Sequence, residues 1–387
     1  MRVLVAFDKF KGSLSALQAC ELGVRALRGR QPGWQLDSCP LTDGGEGFVD
    51  ILTTAVHGRR MTFQVGGPRG GLVAASIGLA TWSQIPVSVR PWLGAPEKND
   101  RSGRLLAIVE MAAASGLGLL PPAQYDPWQT TTYGTGQLIR AAAELGCAAI
   151  LLGVGGSATN DFGLGALSAL GLEFRDDRGA KIRPPFPIHC DRITRIEGEV
   201  FPSIPAIRIA CDVANPLLGP DGATVTYGPQ KGLRPADRAR LEATMERMAR
   251  MLCDHCGQPS SLPETPGSGA AGGLSFGLMA GARAALLPGF ELVSAWLGLD
   301  ARVAAADIVI TGEGCFDGTS LSGKGPGAVA ARARALGKTV HVFAGKLAGD
   351  LPADGWQLHA ITPAGLPIED AMRDAPAFLQ QSIQAEF

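Results

Sequence analysis

Short apolar runs recur along the chain, and most of them stop at a glycine or a charged residue. VLVAF (3–7) ends at Asp8, CAAILL (147–152) runs into GVGGSATND (153–161), and IRIAC, DIVIT and VHVFA break off in the same way. Between these runs lie stretches with helical spacing. Ser13, Ala16, Leu17, Cys20 and Val24 share one helical face, with Ser13 placed to cap it. GFVDILTTAV, GQLIRAAAELG, PADRARLEATMERMARML and GAVAARARALG read as further helices. Residues 61–110 are strand-like, and loops and short strands dominate from 172 to about 205. Strands alternating with helices predict an α/β protein with mainly parallel sheets, whose ligands bind beyond the C-terminal ends of the strands. No fixed-period repeat and no clear linker interrupts the pattern.

The polar clusters fall where that rule wants them. Asp8, Lys9 and Lys11 follow VLVAF; Asp43 and Glu46 lie in LTDGGEG; Asp212 and Asn215 follow IRIAC; Glu313 and Asp317 follow DIVIT. Carboxylates can hold Mg²⁺ or accept a hydroxyl proton, while lysines and backbone N–H groups neutralise phosphate oxygens. Lys11, Lys231 and Lys324 each sit among glycines or small residues, which let a backbone approach a phosphate closely. The strand–glycine–helix order of GVGGSATNDFGLGALSALG suggests a helix N-terminus presented to an anion. That anion could be a dinucleotide pyrophosphate, a nucleoside triphosphate or a small acid.

Several motif readings fail on spelling. GTSLSGK (318–324) matches G-x-x-x-x-G-K, but Gly325 stands where Ser or Thr should ligate Mg²⁺. Gly153, Gly155 and Ala158 fit a permissive dinucleotide fingerprint, with Glu173 at plausible range for the ribose; Asn160 and Asp161 are foreign to it. None of the five histidines stands in an obvious catalytic setting, which argues against a hydrolase triad. Cys253 and Cys256 form CDHC without a second CxxC pair, so a helix-end coincidence is the simpler reading.

Composition narrows the field. A chain of 387 residues has room for two or three domains, and 46% apolar with 18% charged residues marks a compact globular protein. A net charge of −1 offers no general surface for nucleic acid or membrane. MRVLVAFDKF is too short for a signal-peptide core, and no apolar run reaches the roughly 18 residues of a membrane helix. A cytoplasmic protein is the expectation, and its eight scattered cysteines read as buried reduced thiols.

Nine ordered stretches carry a resemblance: DKFKGSLSA, LTDGGEGFVD, EMAAASGLGLLPP, TTYGTGQLI, GVGGSATND, CDVANPLLGPDGA, YGPQKG, GAAGGL and TGEGCFDGTSLSGKGP. Together they resemble the bacterial glycerate kinases of glucarate and glyoxylate breakdown, from about residue 1 to 350. The sequence departs at Lys9, where serine is commoner, at Leu41–Thr42, where Met-Ala is usual, and at Phe162, where glycine is common. The resemblance implies ATP- and Mg²⁺-dependent phosphorylation of D-glycerate, with 2-phosphoglycerate as the product in most members. It also implies two α/β domains, the discontinuous one with Rossmann- or flavodoxin-like layers. One is discontinuous (1–62 plus 290–387), the other inserted (63–289), and the active site is expected in the cleft between them.

On that expectation, backbone N–H groups of Gly155, Gly156 and Ser157 bind phosphate or the glycerate carboxylate, and Asp161 or Asp212 takes the hydroxyl proton. Lys11, Lys231 and Lys324 neutralise charge, with Lys231 close enough to the chemistry to count as catalytic. Asp43, Glu46, Glu313 and Asp317 contact Mg²⁺. Ser13, Thr159, Asn160, Asn215 and Ser320 complete the substrate and phosphate set. The alternatives are a 3-phosphoglycerate product, a related sugar acid, an NAD-dependent dehydrogenase built on the Gly153–Ala158 turn, or a module that senses an acid without turnover.

Overall fold

The computed structural model describes residues 1–94, 103–321, 325–349, 351 and 355–387. The chain opens with β1 (Arg2–Phe7) and β2 (Gln35–Ser38), joined by the helix Ala16–Arg30. A long middle section carries β3 (Arg59–Gly66), β4 (Leu72–Thr81), β5 (Leu105–Glu110), β6 (Ala149–Gly153), β7 (Glu173–Arg175), β8 (Arg195–Glu197), β9 (Ala206–Ala210) and β10 (Ala285–Leu287). The last section adds β11 (Ile308–Gly312), β12 (Cys315–Phe316), β13 (Thr339–Ala344), β14 (Lys346–Leu347) and β15 (Gln357–Ala360).

These elements form two compact units, Met1–Asp43 with Val293–Phe387, and Gly44–Leu292. The first is a parallel five-stranded sheet in the order β15-β13-β11-β1-β2. Val3, Val5 and Phe7 share a core with Leu27, Leu379 and Ile383 on the flanking helices. Leu4 and Ala6, which point to the other face, are equally buried. That is why VLVAF is a continuous apolar run, as a parallel strand covered on both faces requires. Counted within the unit, the order is 2-1-3-4-5, and the winding direction reverses between β1 and β11. Ligands of such sheets bind beyond the strand ends at that reversal.

The second unit is a six-stranded mixed sheet in the order β10-β9-β6-β5-β4-β3. β5, β6, β9 and β10 are parallel, while β3 and β4 form an antiparallel hairpin on one edge. β7 and β8 pair separately.

Two sequence expectations need correction here. The boundary expected at residue 62 lies at 43, because the helix Phe48–Ala55 packs on β4 and β5 and β3 pairs with β4 along its whole length. Residues 44–62 therefore bury their apolar surface in the second unit. The first helix is capped by Ser15, whose hydroxyl accepts from Gln18 N at 3.2 Å while the Gln18 side chain accepts from Ser15 N at 2.9 Å. This reciprocal box fixes the start at Ala16. Ser13 instead donates its hydroxyl to the carbonyl of Met372.

Candidate active site

In the first unit the carboxylates gather at the reversal point. Asp8 follows β1 directly and its N–H donates to Gly312 O at the end of β11 (3.0 Å), which sets it beside Glu313. Lys9 Nζ lies 3.2 Å from Asp43 Oδ1 and 3.9 Å from Asp8 Oδ1. Burial pushes the Asp8 carboxyl up to about 6; the Lys9 ammonium opposes this and Asp43 adds to it. Glu313 rises to about 7, mainly by burial, against a hydrogen bond from Ser320 and with Asp8, Asp317 and Asp43 as like-charged neighbours. Asp317 is held low by Thr319, whose N–H and hydroxyl both donate to Oδ1 at 2.8 and 2.6 Å. Ser320 is buried and accepts from Asp317 N at 3.1 Å. Lys11 is exposed, and Lys324 lies outside the described residues.

The residues present suit Mg²⁺ of one kind. All the donors are oxygens, as a hard cation prefers. Among the described residues, however, these acids do not converge as a set of three within 4.8 Å. A preformed all-protein cage is therefore absent there, whereas Mg²⁺ carried by phosphates needs only one or two carboxylates and water.

In the second unit the turn after β6 meets the TDGGEG loop backbone to backbone. Gly155 N donates to Gly44 O at 3.0 Å, and a Cβ on Gly155 would lie 2.6 Å from Gly45 Cα. The glycines here serve a close approach of two loops. Gly155 therefore has its N–H committed, which removes it from the three expected phosphate donors. Gly156 is exposed at the tip of the turn and Ser157 is buried. Glu46 is exposed, its Cγ 3.8 Å from where a Gly156 Cβ would stand.

The helix N-terminus expected beside this turn is elsewhere. That helix runs Leu164–Leu170, every residue of it buried. The anion at its N-terminus is Asp161. Oδ2 accepts from Thr132 N (2.6 Å), Thr132 Oγ1 (2.9 Å), Thr131 Oγ1 (3.2 Å) and Gly165 N (3.2 Å), and Oδ1 from Gly163 N (3.2 Å). A carboxylate at the first turn satisfies the orphan N–H groups and complements the helix dipole. Asp161 has no exposed surface, so it does not meet a substrate hydroxyl as the expected base would. Burial raises its pKa against the hydrogen bonds from Thr132, Gly163 and Gly165.

Lys231 is corrected on the same ground. It is 1% exposed, and Nζ donates to Thr159 O (2.6 Å) and reaches Asn160 Oδ1 (3.4 Å). Burial lowers it to about 7, with Asp161 pulling the other way. Thr159 and Asn160 are fully buried beneath the turn and do not reach a ligand with their side chains. Asn215 is spent on its own loop: Nδ2 donates to Asp221 O at 2.7 Å, and Oδ1 accepts from Tyr227 Oη at 2.7 Å.

Asp212 is different. It is half-buried just beyond β9, and its Oδ2 accepts from Phe290 N at 2.8 Å. A second carboxylate, Glu110 at the end of β5, accepts from Val49 N at 3.2 Å and from Gly47 N, capping the helix Phe48–Ala55. Its burial lifts it to about 7.

The glycerate kinase family profile matches residues 3–385. The chain belongs to the glycerate kinase family. A glycerate kinase of Bacillus subtilis is 36% identical over 389 residues, covering 99% of this chain and 96% of the relative. A glycerate 2-kinase of Escherichia coli is 36% identical over 355 residues, covering 91% and 87%. The crystal structure of a provisionally assigned glycerate kinase 2 from Salmonella typhimurium LT2 superposes with a TM-score of 0.75 at 36% identity, covering 100% of this chain and 97% of the other.

Within this family member, sequence reasoning left two strand-end carboxylates without a role. Glu110 stands in the quoted EMAAASG stretch at the end of an apolar strand, the same signal that flagged Asp8 and Glu313. Asp8 was flagged by position but given no role, although it lies at the centre of the first unit's acid set. Glu173 of the dinucleotide reading pairs with Arg175 and Lys181 on the small β7–β8 sheet. Cys253 and Cys256 fall in the last turn of the helix Arg238–Cys256 as unpaired thiols.

Proposed function

We propose that this protein transfers the γ-phosphoryl group of ATP to the 2-hydroxyl of D-glycerate, giving 2-phosphoglycerate and ADP. The observation that carries this is the near full-length match to glycerate kinases, including a glycerate 2-kinase, on a chain whose carboxylates stand at the C-terminal edges of its parallel strands. Phosphoryl transfer asks a protein chiefly for positioning and charge neutralisation.

In the second unit Asp212 accepts the proton as the substrate oxygen attacks phosphorus. The Phe290 N–H anchors one of its oxygens and so fixes the direction of the other. The bond from γ-phosphorus to the bridging oxygen breaks, and ADP leaves with that electron pair. Gly156 and Ser157 offer backbone N–H groups to an anionic oxygen. Asp161 and Lys231 hold the chain behind that turn.

In the first unit Asp43, Glu313 and Asp317, with Asp8 beside them, would hold Mg²⁺ partly through water. When bound with the nucleotide, the ion supplies neutralisation of phosphate charge. Lys9 screens Asp8 from Asp43, so both can remain close before any cation arrives. Lys11 and Lys324 add positive charge for phosphate.

The test is ADP release by the purified protein with ATP and Mg²⁺. Release that depends on D-glycerate and is much slower with L-glycerate or larger sugar acids is expected. ADP release independent of any acid, or none with D-glycerate, would remove the proposal.

A further inference from the structure

We propose that this protein carries a zinc site on the first unit's sheet, formed by His341, His359 and Glu386 with water as the fourth ligand. It differs in ligand type from the acid set at the strand ends and lies on the strands themselves. His341 lies in the middle of β13 and His359 in the middle of β15, and Glu386 comes from the last turn of the helix Ile368–Glu386. One ligand atom from each of the three lies within 4.8 Å of the others, the sole such group of His, Cys, Asp and Glu among the described residues.

The spacing suits the ion. Zinc bonded to two imidazole nitrogens at about 2.0–2.1 Å in tetrahedral geometry holds them about 3.3 Å apart. His341 Nδ1 and His359 Nε2 are 3.3 Å apart. Glu386 Oε1 stands 3.6 Å from His341 Nδ1, and Oε2 stands 3.8 Å from His359 Nδ1. His359 thus shows one nitrogen to each partner, and a modest turn of its ring presents a single nitrogen to both. That ring has the room, with 19% of its side chain exposed against 4% for His341.

Aromatic side chains pack against both imidazoles. Phe343 stacks on His359 at 4.3 Å between centroids, and Phe387 packs against His341 at 4.7 Å. Glu386, 32% exposed, leaves a solvent side for the ion to enter and for water to complete the tetrahedron. Two imidazoles and one carboxylate favour Zn²⁺ over the hard Mg²⁺ used with nucleotides. Bound zinc would tie the end of the helix Ile368–Glu386 to β13 and β15.

The experiment strips the full-length protein with EDTA and titrates Zn²⁺ against a chromophoric chelator, for the wild type, His359→Gln and Glu386→Gln. Circular dichroism checks that each variant is folded. One Zn²⁺ per chain is expected, with affinity lowered more than about 100-fold in each variant, since even outer-shell changes cost 10–100-fold. Co²⁺ in place of zinc should show tetrahedral visible bands without a sulfur charge-transfer band. Failure to bind one equivalent, binding that survives both variants, or a thiolate–cobalt band pointing to Cys253 and Cys256 would each overturn the proposal.

Discussion

Asp161→Asn separates a supporting carboxylate from a catalytic one. The amide can keep one oxygen where Oδ2 now accepts four donors, but its NH₂ must then face Gly163 N, which donates to Oδ1. An unsatisfied buried N–H costs about 1–3 kcal/mol. The four remaining bonds change from charge-assisted to neutral, each weaker by up to about 1 kcal/mol. Relief of the buried charge, whose desolvation already lifts this carboxyl, offsets part of that. The net loss is about 2–5 kcal/mol. For a unit of this size each kcal/mol moves the midpoint by about 2–4 °C, so a fall in Tm of about 5–15 °C is expected. Calorimetry gives the midpoint, and turnover is measured well below both transitions. There kcat should fall less than about tenfold, because no reacting atom touches Asp161. An unchanged Tm with kcat lowered by about 10²–10⁴, the range for loss of a general base, would refute this assignment.

Asp212→Asn should behave in the opposite way, with kcat down about 10²–10⁴ and a stability loss near 1 kcal/mol from the weakened cap on Phe290 N; a kcat within tenfold of wild type would clear Asp212 of the base role. Glu110→Gln tests pH linkage. The folded carboxyl sits at about 7 against 4.5 for its ordinary value, so protonated Glu110 favours the fold below about pH 4.5, and that advantage is lost as pH rises through 7. The wild type should lose on the order of 3 kcal/mol across that window by this group, and urea unfolding from pH 4.5 to 8 should show the step flattened in the variant. Gly155→Ala puts a methyl 2.6 Å from Gly45 Cα, a backbone atom that cannot swing aside, so an overpacking loss of about 1–3 kcal/mol should appear as a lowered Tm.

The strands were legible wherever burial on both faces makes an apolar run end sharply, as at Phe7, Gly153 and Thr311–Gly312. The acids beyond those ends were legible for the same reason, since a charged residue is what stops the run. The limits of sequence reading are equally physical. Asp8 and Asp161 each stand close to the end of a buried strand, yet one reaches the sheet edge and the other turns inward to cap a helix that begins three residues later. That choice depends on Thr131 and Thr132, thirty residues upstream, which supply three of its donors. Lys231 looked like a phosphate ligand because glycine follows it, but Gly232 takes a left-handed φ of 90° to close a short helix and the lysine points into the core. The domain boundary escaped because β3 is assigned by its pairing with β4, which no local signal announces. Nor does spacing bring His341 and His359 together, because their meeting is set by the parallel register of β13 and β15.

Phosphorus NMR of the purified protein with ATP, Mg²⁺ and D-glycerate tests the proposed reaction most directly. A new phosphomonoester resonance split by a single proton, matching authentic 2-phosphoglycerate and growing with ADP, is the predicted result. A resonance matching 3-phosphoglycerate, or none from protein shown to be folded, would contradict it.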